Sequence, residues 1–575
     1  MVVNYTTDAI IADEWGVLET YMHFLNGTLT FDELIRQQNE SRLFFPKLIF
    51  IGMAALNNFH YNTYHECLLI FAVACFISIN IFILSRFTLL LALWQYLFLA
   101  EIANLLIFSP ISWDNWGWGI QLIVFIPIAC ITTALVLTKL NLKLPLVALL
   151  TALLGTFSTY SFSNGILYWV VIFPALVAAR VSNFDQIKTV ILSRWRTLSL
   201  WVTFAAINIA YFFYNYKKPS YHSSLLEALK NLFDAVLYFL AFLGAPLASA
   251  NLLVAQGFGT VFLGCCIWVC FRVWRLRFQS GFLQVVYPWL CIGTYTLLSA
   301  ALAALGRSSL GVSQALTYRY NTFSVYGWVA LLYLITALWR HDPILVVNKA
   351  KHDRSRRTQL FRIFAVSLLV TTLIMQNFSW SHGLDMMKAE YRNRLYGKAC
   401  LLSKEIVLEA DCIARYVFPI VKYLETRPQE LDSLGGWEPG LISMQDVNEA
   451  VTAQAPGSTF HGHVDTATSQ EVGGFFKFWG WAILPEYKYP AHGVMLVALD
   501  AQGKATPIAI APVNQERPDV KQAINTSDYR SQRFGWEMIL PKERVPVGAT
   551  QVIALAIDTN TGDLHRLVGS SQLQR

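Results

Sequence analysis

As far as about residue 380 the chain is a series of long apolar runs with short polar interruptions. The runs fall at about 63–84, 87–108, 119–138, 143–159, 163–179, 198–215, 250–271, 282–304, 325–339 and 360–379. A helix rises about 1.5 Å per residue, so runs of this kind match a hydrocarbon core of roughly 30 Å. They predict ten membrane-spanning helices. Segments 46–58 and 231–247 are apolar but shorter or flanked by polar residues, and read as interfacial or re-entrant helices.

After 380 the pattern changes. Residues 381–430 interleave Lys, Arg and Glu with apolar positions, which predicts helix. Residues 431–456, with Gly435, Gly436, Pro439, Gly440 and Pro456, read as linker and turns. From 458 onward come short β-type runs, "GVMLVAL", "TPIAIAP", "FGWEMIL" and "QVIALAID", broken by the turn-like "DAQGK" and "DTNTGD". The expected fold is therefore a polytopic α-helical membrane protein with a C-terminal β-sandwich. Its parts are a transmembrane domain over 1–380 with an acidic loop over 1–62, a helical segment and linker over 381–457, and a sandwich over 458–575.

Composition agrees with the pattern. The chain is 55% hydrophobic and 14% charged, against about 25% charged in soluble domains. In such a protein the net charge of +7 records orientation and gives no reason to expect nucleic acid. One set of loops holds Arg86, Lys139, Lys143, Arg180, Lys188, Arg194, Arg196, Arg272, Arg275, Arg277 and Arg340, with a basic run over 349–357. The alternate loops hold only Lys217, Lys218, Lys230, Arg307 and Arg319. The first set should face the cytoplasm. Residues 1–62, 109–118, 160–164, 216–249, 305–324 and everything after 380 should then lie outside. Both ends fall on one side, yet residues 1–62 hold no signal peptide. The expectation is that the first helix of the natural chain is missing before Met1.

Seven of the 9 cysteines lie in or beside apolar runs and read as small buried hydrophobes. Cys400 and Cys412 lie outside on this topology, in an oxidising compartment, and are expected to pair. That requires a turn between two helical pieces, bringing the α-carbons within about 7 Å.

Three of the external loops carry unusual chemistry. The opening one holds Asp13, Glu14, Glu40 and Arg42. The second is "SPISWDNWGWGIQ", with Trp113, Asp114 and Trp116. The third is "GRSSLGVSQALTYRYNTFS", with Arg307 and Arg319. Carboxylates act as bases or metal ligands, arginine forks suit phosphate, and flat indoles suit sugar rings. Together on one face, next to lipid, they suit an enzyme that moves a sugar from a phospholipid carrier. The plainer readings are interfacial tryptophan anchors, an acidic helix start at Asp13–Glu14, and Glu40 bridging Arg36 or Arg42. Glu101 and Asn104, inside the second span, are expected to face the protein interior.

The order of acidic loop, many helices and soluble C-terminal domain resembles the GT-C fold of membrane glycosyltransferases. In that fold the first external loop carries one or two acidic residues at the active site, followed by a helix along the membrane surface. "DEW", then "GTLTFDELIRQQNESRLFFPKL", is similar to a bacterial form that reads roughly D-[DE]-W, then H-N-E-H-R. Asp13, Glu14, Asn39, Glu40 and Arg42 match; Gln38 and Ser41 stand where histidines are expected. "FWGWAILPE", "ERPDVKQAI" and "FGWEMILP" resemble a β-sandwich module appended to bacterial glycosyltransferases and presumed to bind glycans. The plainer reading makes Trp479, Trp481 and Trp536 core.

The resemblance implies an inverting transferase of the bacterial inner membrane. It would move a sugar from a polyprenyl-phosphate donor to a glycan or lipid acceptor outside the cytoplasm, among membrane lipids. Asp13, or else Glu14, would be the base. Arg307 and Arg319 would hold the phosphate, with Lys217, Lys218 and His222 as further cations. No cofactor is required for a monophosphate carrier; for a diphosphate, Asp13 and Glu14 would hold a divalent cation, Mg or Mn. The alternatives are a ligase or polymerase moving a whole lipid-linked glycan, and a non-enzymatic glycan transporter or scaffold.

Overall fold

The computed structural model describes residues 1–219, 230–341, 356–453, 461–484, 486, 489–524 and 533–574, without the side chains of 356–365, 368 and 369. It is mostly helical, at 64%. The principal apolar helices are α1 (Thr63–Thr88), α2 (Leu93–Ile107), α3 (Leu122–Lys139), α4 (Leu144–Thr159), α5 (Leu167–Ala178) and α6 (Trp195–Phe213). They continue with α7 (Leu232–Gly244), α8 (Leu252–Leu276), α9 (Phe282–Arg307), α10 (Asn321–His341) and α11 (Arg356–Leu402).

Among the described residues seven helices are long and apolar enough to cross a membrane. Seven of the ten expected runs are thus matched. The runs at 143–159 and 163–179 form shorter apolar helices, Leu144–Thr159 and Ser163–Ala178. The tenth run, 360–379, is part of the 47-residue helix α11 and lies partly outside the described side chains. The architecture fits a polytopic membrane protein with a C-terminal β-sheet region.

The chain divides into two compact units. The first gathers Met1–Asn4, Thr30–Ile49 and Glu66–Met387; the second gathers Tyr5–Leu29, Phe50–His65 and Lys388–Arg575. In the first unit the loops sort themselves by contact. At one end Arg180 donates to the Leu142 carbonyl, Gln284 to that of Val181, and Arg340 to the Gln95 side chain. At the other end Phe45 N–H donates to the Tyr160 carbonyl, Ser163 N–H to Ser41 Oγ, and Asn115 to the Arg319 carbonyl. The base-rich loops touch one another, and the base-poor loops touch one another. The alternation read from charge thus has a counterpart in packing.

Helix α7 is more than an apolar surface element. Its Tyr238, Ala241, Phe242 and Leu243 are buried, and it lies backbone to backbone against α8. A Cβ on Gly259 would stand 1.8 Å from the Leu240 carbonyl oxygen, and one on Gly244 2.0 Å from that of Ala255. Glu101 is exposed on α2, against expectation. Its neighbour Asn104 accepts a hydrogen bond from Ser78 on α1 at 2.6 Å.

In the second unit, α11 ends at Leu402 and a short helix begins at Ala410. The turn between them brings Cys400 and Cys412 to a Cα separation of 6.4 Å, and their sulfurs are bonded. The stretch read as linker contains a helix, Met444–Thr452, started by a capping box of Ser443 and Asp446.

The C-terminal strands follow two hairpin strands, β1 (Gln37–Gln38) and β2 (Ser41–Arg42), in chain order. They are β3 (Gly462–Val464), β4 (Thr468–Gln470), β5 (Phe475–Leu484), β6 (Tyr489–Pro490), β7 (Gly493–Asp500) and β8 (Ala505–Ala511). Then come β9 (Val513–Gln515), β10 (Gly535–Pro541), β11 (Ala549–Ile557), β12 (Leu564–Arg566) and β13 (Ser571–Gln574). One sheet runs β3-β5-β10-β9, the other β4-β13-β11-β7-β8. A single apolar core joins the two, with Phe476, Phe478 and Trp536 from the first and Val494, Leu496 and Ala554 from the second. Strand β5 alternates, so Phe476 and Phe478 point inward and Trp479 is 41% exposed. Of the three tryptophans read as core, Trp536 is core, Trp481 half-buried and Trp479 open.

Candidate functional site

The polar "QQNESR" stretch folds as a hairpin. Gln37 pairs with Arg42 and Gln38 with Ser41, leaving Asn39 and Glu40 at the turn. Asn39 has φ 51°, a left-handed conformation that asparagine tolerates better than most residues. Three anchors fix the hairpin. Gln37 Nε2 donates to the Lys217 carbonyl at 2.6 Å, and its Oε1 accepts from Lys217 N–H at 2.9 Å. Ser41 Oγ accepts from Ser163 N–H. The buried Arg42 guanidinium donates to the Phe212 carbonyl at 2.9 Å, to Ile35 at 3.0 Å and to Tyr214. Phe212 and Tyr214 lie at the end of α6, where helix carbonyls lack intrahelical partners. Arg42 therefore stitches backbone together, with three of its donors directed at carbonyls.

Glu40 is thereby aimed at the end of α9. Its Oε1 lies 2.6 Å from Arg307 Nη2, and both side chains are mostly covered, at 15% and 18% exposure. Arg307 Nη1 donates to the Tyr320 hydroxyl. Gln314 Nε2 donates to the same oxygen at 3.1 Å, and Tyr238 donates to Gln314 Oε1. Arg319 packs on the Tyr320 ring at 5.7 Å, and Arg307 at 5.5 Å. Among the described residues the Arg319 guanidinium has no carboxylate within ion-pair distance. The network thus holds two guanidinium groups around one phenol, with Glu40 bonded to Arg307.

The tryptophan loop joins from a third direction. Asn115 Nδ2 donates to the Arg319 carbonyl at 2.9 Å and to Thr322 Oγ1 at 2.6 Å. Trp113 is half-buried, 5.2 Å from the Tyr318 ring, and Tyr318 shares a hydrogen bond with His382. Trp116 is fully buried between Phe108 and Phe125, and its indole donates to the Ser109 carbonyl. It is a core residue, closed to a sugar ring. Asp114 is half-buried, and Lys217 and Lys218 are exposed. His222 lies outside the described residues.

Asp13 and Glu14 belong to the second unit. Asp13 precedes the helix Glu14–Leu25 and is half-buried. Glu14 is completely buried, and its carboxylate accepts the Ile11 N–H at 3.1 Å. Trp15 is core, edge-on to Trp437 at 6.5 Å. This unit also holds a polar cavity of about 420 Å³ that was missed in the sequence, lined by Asp8, His60, Asn62, Tyr64, Lys398 and Glu438 among others. Lys398 Nζ lies 3.3 Å from Asp8 Oδ2, while Asp8 Oδ1 accepts from Thr63 N–H. His60 meets Glu438 at 3.3 Å. The only available signal was the polar "TTD" just after the start. Its partner is 390 residues away.

Among the described residues no three His, Cys, Asp or Glu side chains gather as a metal ion requires. Comparisons of the chain with protein-family models, curated proteins and solved structures found no match.

Proposed function

We propose that this protein is a GT-C-like membrane glycosyltransferase that uses a polyprenyl-phosphate sugar, and that Arg307 and Arg319 hold the phosphate of that donor. The observation that carries the reading is the pair of guanidinium groups on Tyr320, with Arg319, among the described residues, beside no carboxylate. They stand where α9 ends and α10 begins, at the end of the unit where base-poor loops gather. A lipid phosphate arrives at such a level, with its chain among apolar helices and its charge at their ends. Glu40 is a positioning residue: it fixes the Arg307 fork, and Tyr320 fixes it from the other side.

In the reaction the acceptor hydroxyl oxygen bonds to the anomeric carbon while the bond from that carbon to the phosphate oxygen breaks. The displacement inverts the anomeric centre. The hydroxyl proton passes to a carboxylate, and the phosphate departs with one more negative charge. Preorganised arginines stabilise that charge as it develops, an effect worth roughly 3 kcal/mol per donor in other enzymes. For the proton, the GT-C likeness implies the Asp13–Glu14 pair. Asp13 is the more accessible of the two, and Glu14 is enclosed.

The test is sugar transfer by the purified full-length protein from labelled polyprenyl-monophosphate sugars. Arg307→Gln and Arg319→Gln are each expected to lower turnover about a hundredfold; Arg319→Gln should leave the melting temperature nearly unchanged, whereas Arg307→Gln, which strands the mostly covered Glu40, should lower it. Asp13→Asn is expected to abolish turnover. Full turnover in both arginine variants would remove the phosphate site, and full turnover in Asp13→Asn and Glu14→Gln would remove the acidic pair.

A further inference from the structure

The second unit contains a smaller cavity, of about 250 Å³, between the outer part of α11 and the C-terminal strands. Its charged lining is basic: Lys388 and Arg392 from the helix and Arg533 from the start of β10. No aspartate or glutamate is among the residues that line it. Tyr391 and Tyr489 supply aromatic surface, and Asn514 an amide.

Glu390, on the same helix, bonds Arg394 at 3.2 Å and also takes Asn393. Glu516 forms a long ion pair with Arg533 at 3.8 Å, and its side chain is 69% exposed, so that pair is screened by solvent and weak. His492, which also lines the cavity, is buried and held neutral, accepting the Thr559 N–H on Nδ1. Arg392 is half-buried and has no hydrogen-bond or ion-pair partner among the described residues.

Burial, and after it the charge of Arg533, pull the Arg392 guanidinium below its ordinary range. Two like charges sharing a partly enclosed space destabilise the empty cavity, and an anion relieves that repulsion. A guanidinium fork matches the two oxygens of a carboxylate or phosphate. The space is smaller than the roughly 300 Å³ at which drug-sized sites begin, so the group taken is of monosaccharide size.

We propose that this cavity is a second ligand site, which binds a carboxylate or phosphate group carried on a sugar, with Arg392 and Arg533 as its anion-binding residues. It belongs to the second unit and does not depend on the transferase reading. Its ligand is an acidic saccharide, whatever the chemistry elsewhere.

The experiment is calorimetric titration of the full-length protein in detergent at low salt, with glucuronate, glucose 6-phosphate, inorganic phosphate and glucose as probes. At least one acidic sugar is expected to bind more tightly than inorganic phosphate, and glucose is expected not to bind. Arg392→Gln and the more exposed Arg533→Gln are each expected to weaken that binding about tenfold, as loss of a charge-assisted bond does. Phosphate binding as tight as that of both acidic sugars would overturn the assignment to a sugar. Failure of every anion to bind, or binding unchanged in Arg533→Gln, would overturn the site; this second variant guards against misfolding of the first. Glucuronate and glucose 6-phosphate distinguish a carboxylate from a phosphate source.

Discussion

In the β-sheet region Arg517 donates to Asp519 at 2.7 and 2.9 Å and to Asp465 at 2.6 Å, and Arg544 grips both oxygens of Glu409. At the loop ends of the helical unit the balance is different. Arg307 is held by Glu40 and Tyr320, and Arg319, among the described residues, has no carboxylate within ion-pair distance. Arg42, a few residues from Glu40, shows that this unit also has fully engaged arginines, since it gives its donors to three backbone carbonyls. A cation that serves the fold has its donors occupied by the fold. Arg319, which lies on the Tyr320 ring, keeps a charge that no carboxylate among the described residues neutralises.

The comparison can be broken at several points. The largest effect on stability is expected at an enclosed pair, Asp8–Lys398, whose side chains are mostly covered. Lys398→Met strands a carboxylate in the polar cavity and should cost about 3 kcal/mol in denaturant unfolding. A loss under about 1 kcal/mol would mean that the pair is a solvated surface contact.

Acid should act next, through His492. Burial, and then the charge of Lys398, push its imidazole down to about 3, against about 6.5 for an unfolded chain. Its folded value is depressed, so the unfolded chain binds the extra proton. Stability is complete above about pH 6.5 and is lost as pH falls from there toward 3. Between pH 7 and 5 the loss should be about 2 kcal/mol. His492→Asn should flatten that part of the melting profile, and an unchanged slope would show that the ring is not held neutral.

The smallest effect belongs to Arg517→Gln. Asp519 is exposed, so the salt bridge should be worth less than about 1 kcal/mol despite its short bonds. Hydropathy alone made the apolar helices and the strands "GVMLVAL", "TPIAIAP" and "QVIALAID" legible, because periodic burial is a local property of sequence. The Cys400–Cys412 pair was legible for a related reason: one turn brings the two together. Helix length was less legible, because apolar content does not report it: α4 and α5 stop at 16 and 12 residues. Glu40 was read as a partner of Arg36 or Arg42, its neighbours along the chain. Its partner Arg307 is 267 residues away, and no local pattern records such a meeting. The same limit hid Asp8 and Lys398. The tryptophans separated by strand and helix face: Trp116 and Trp536 are inside, and Trp479 is outside.

The most direct test of the central claim is binding of a polyprenyl monophosphate, without any sugar, to the full-length protein in detergent, compared across wild type, Arg307→Gln, Arg319→Gln and Arg517→Gln. The phosphate site at Arg307 and Arg319 predicts that the first two variants each weaken binding about tenfold or more while Arg517→Gln binds as wild type does. Equal binding by wild type and both loop variants would contradict it.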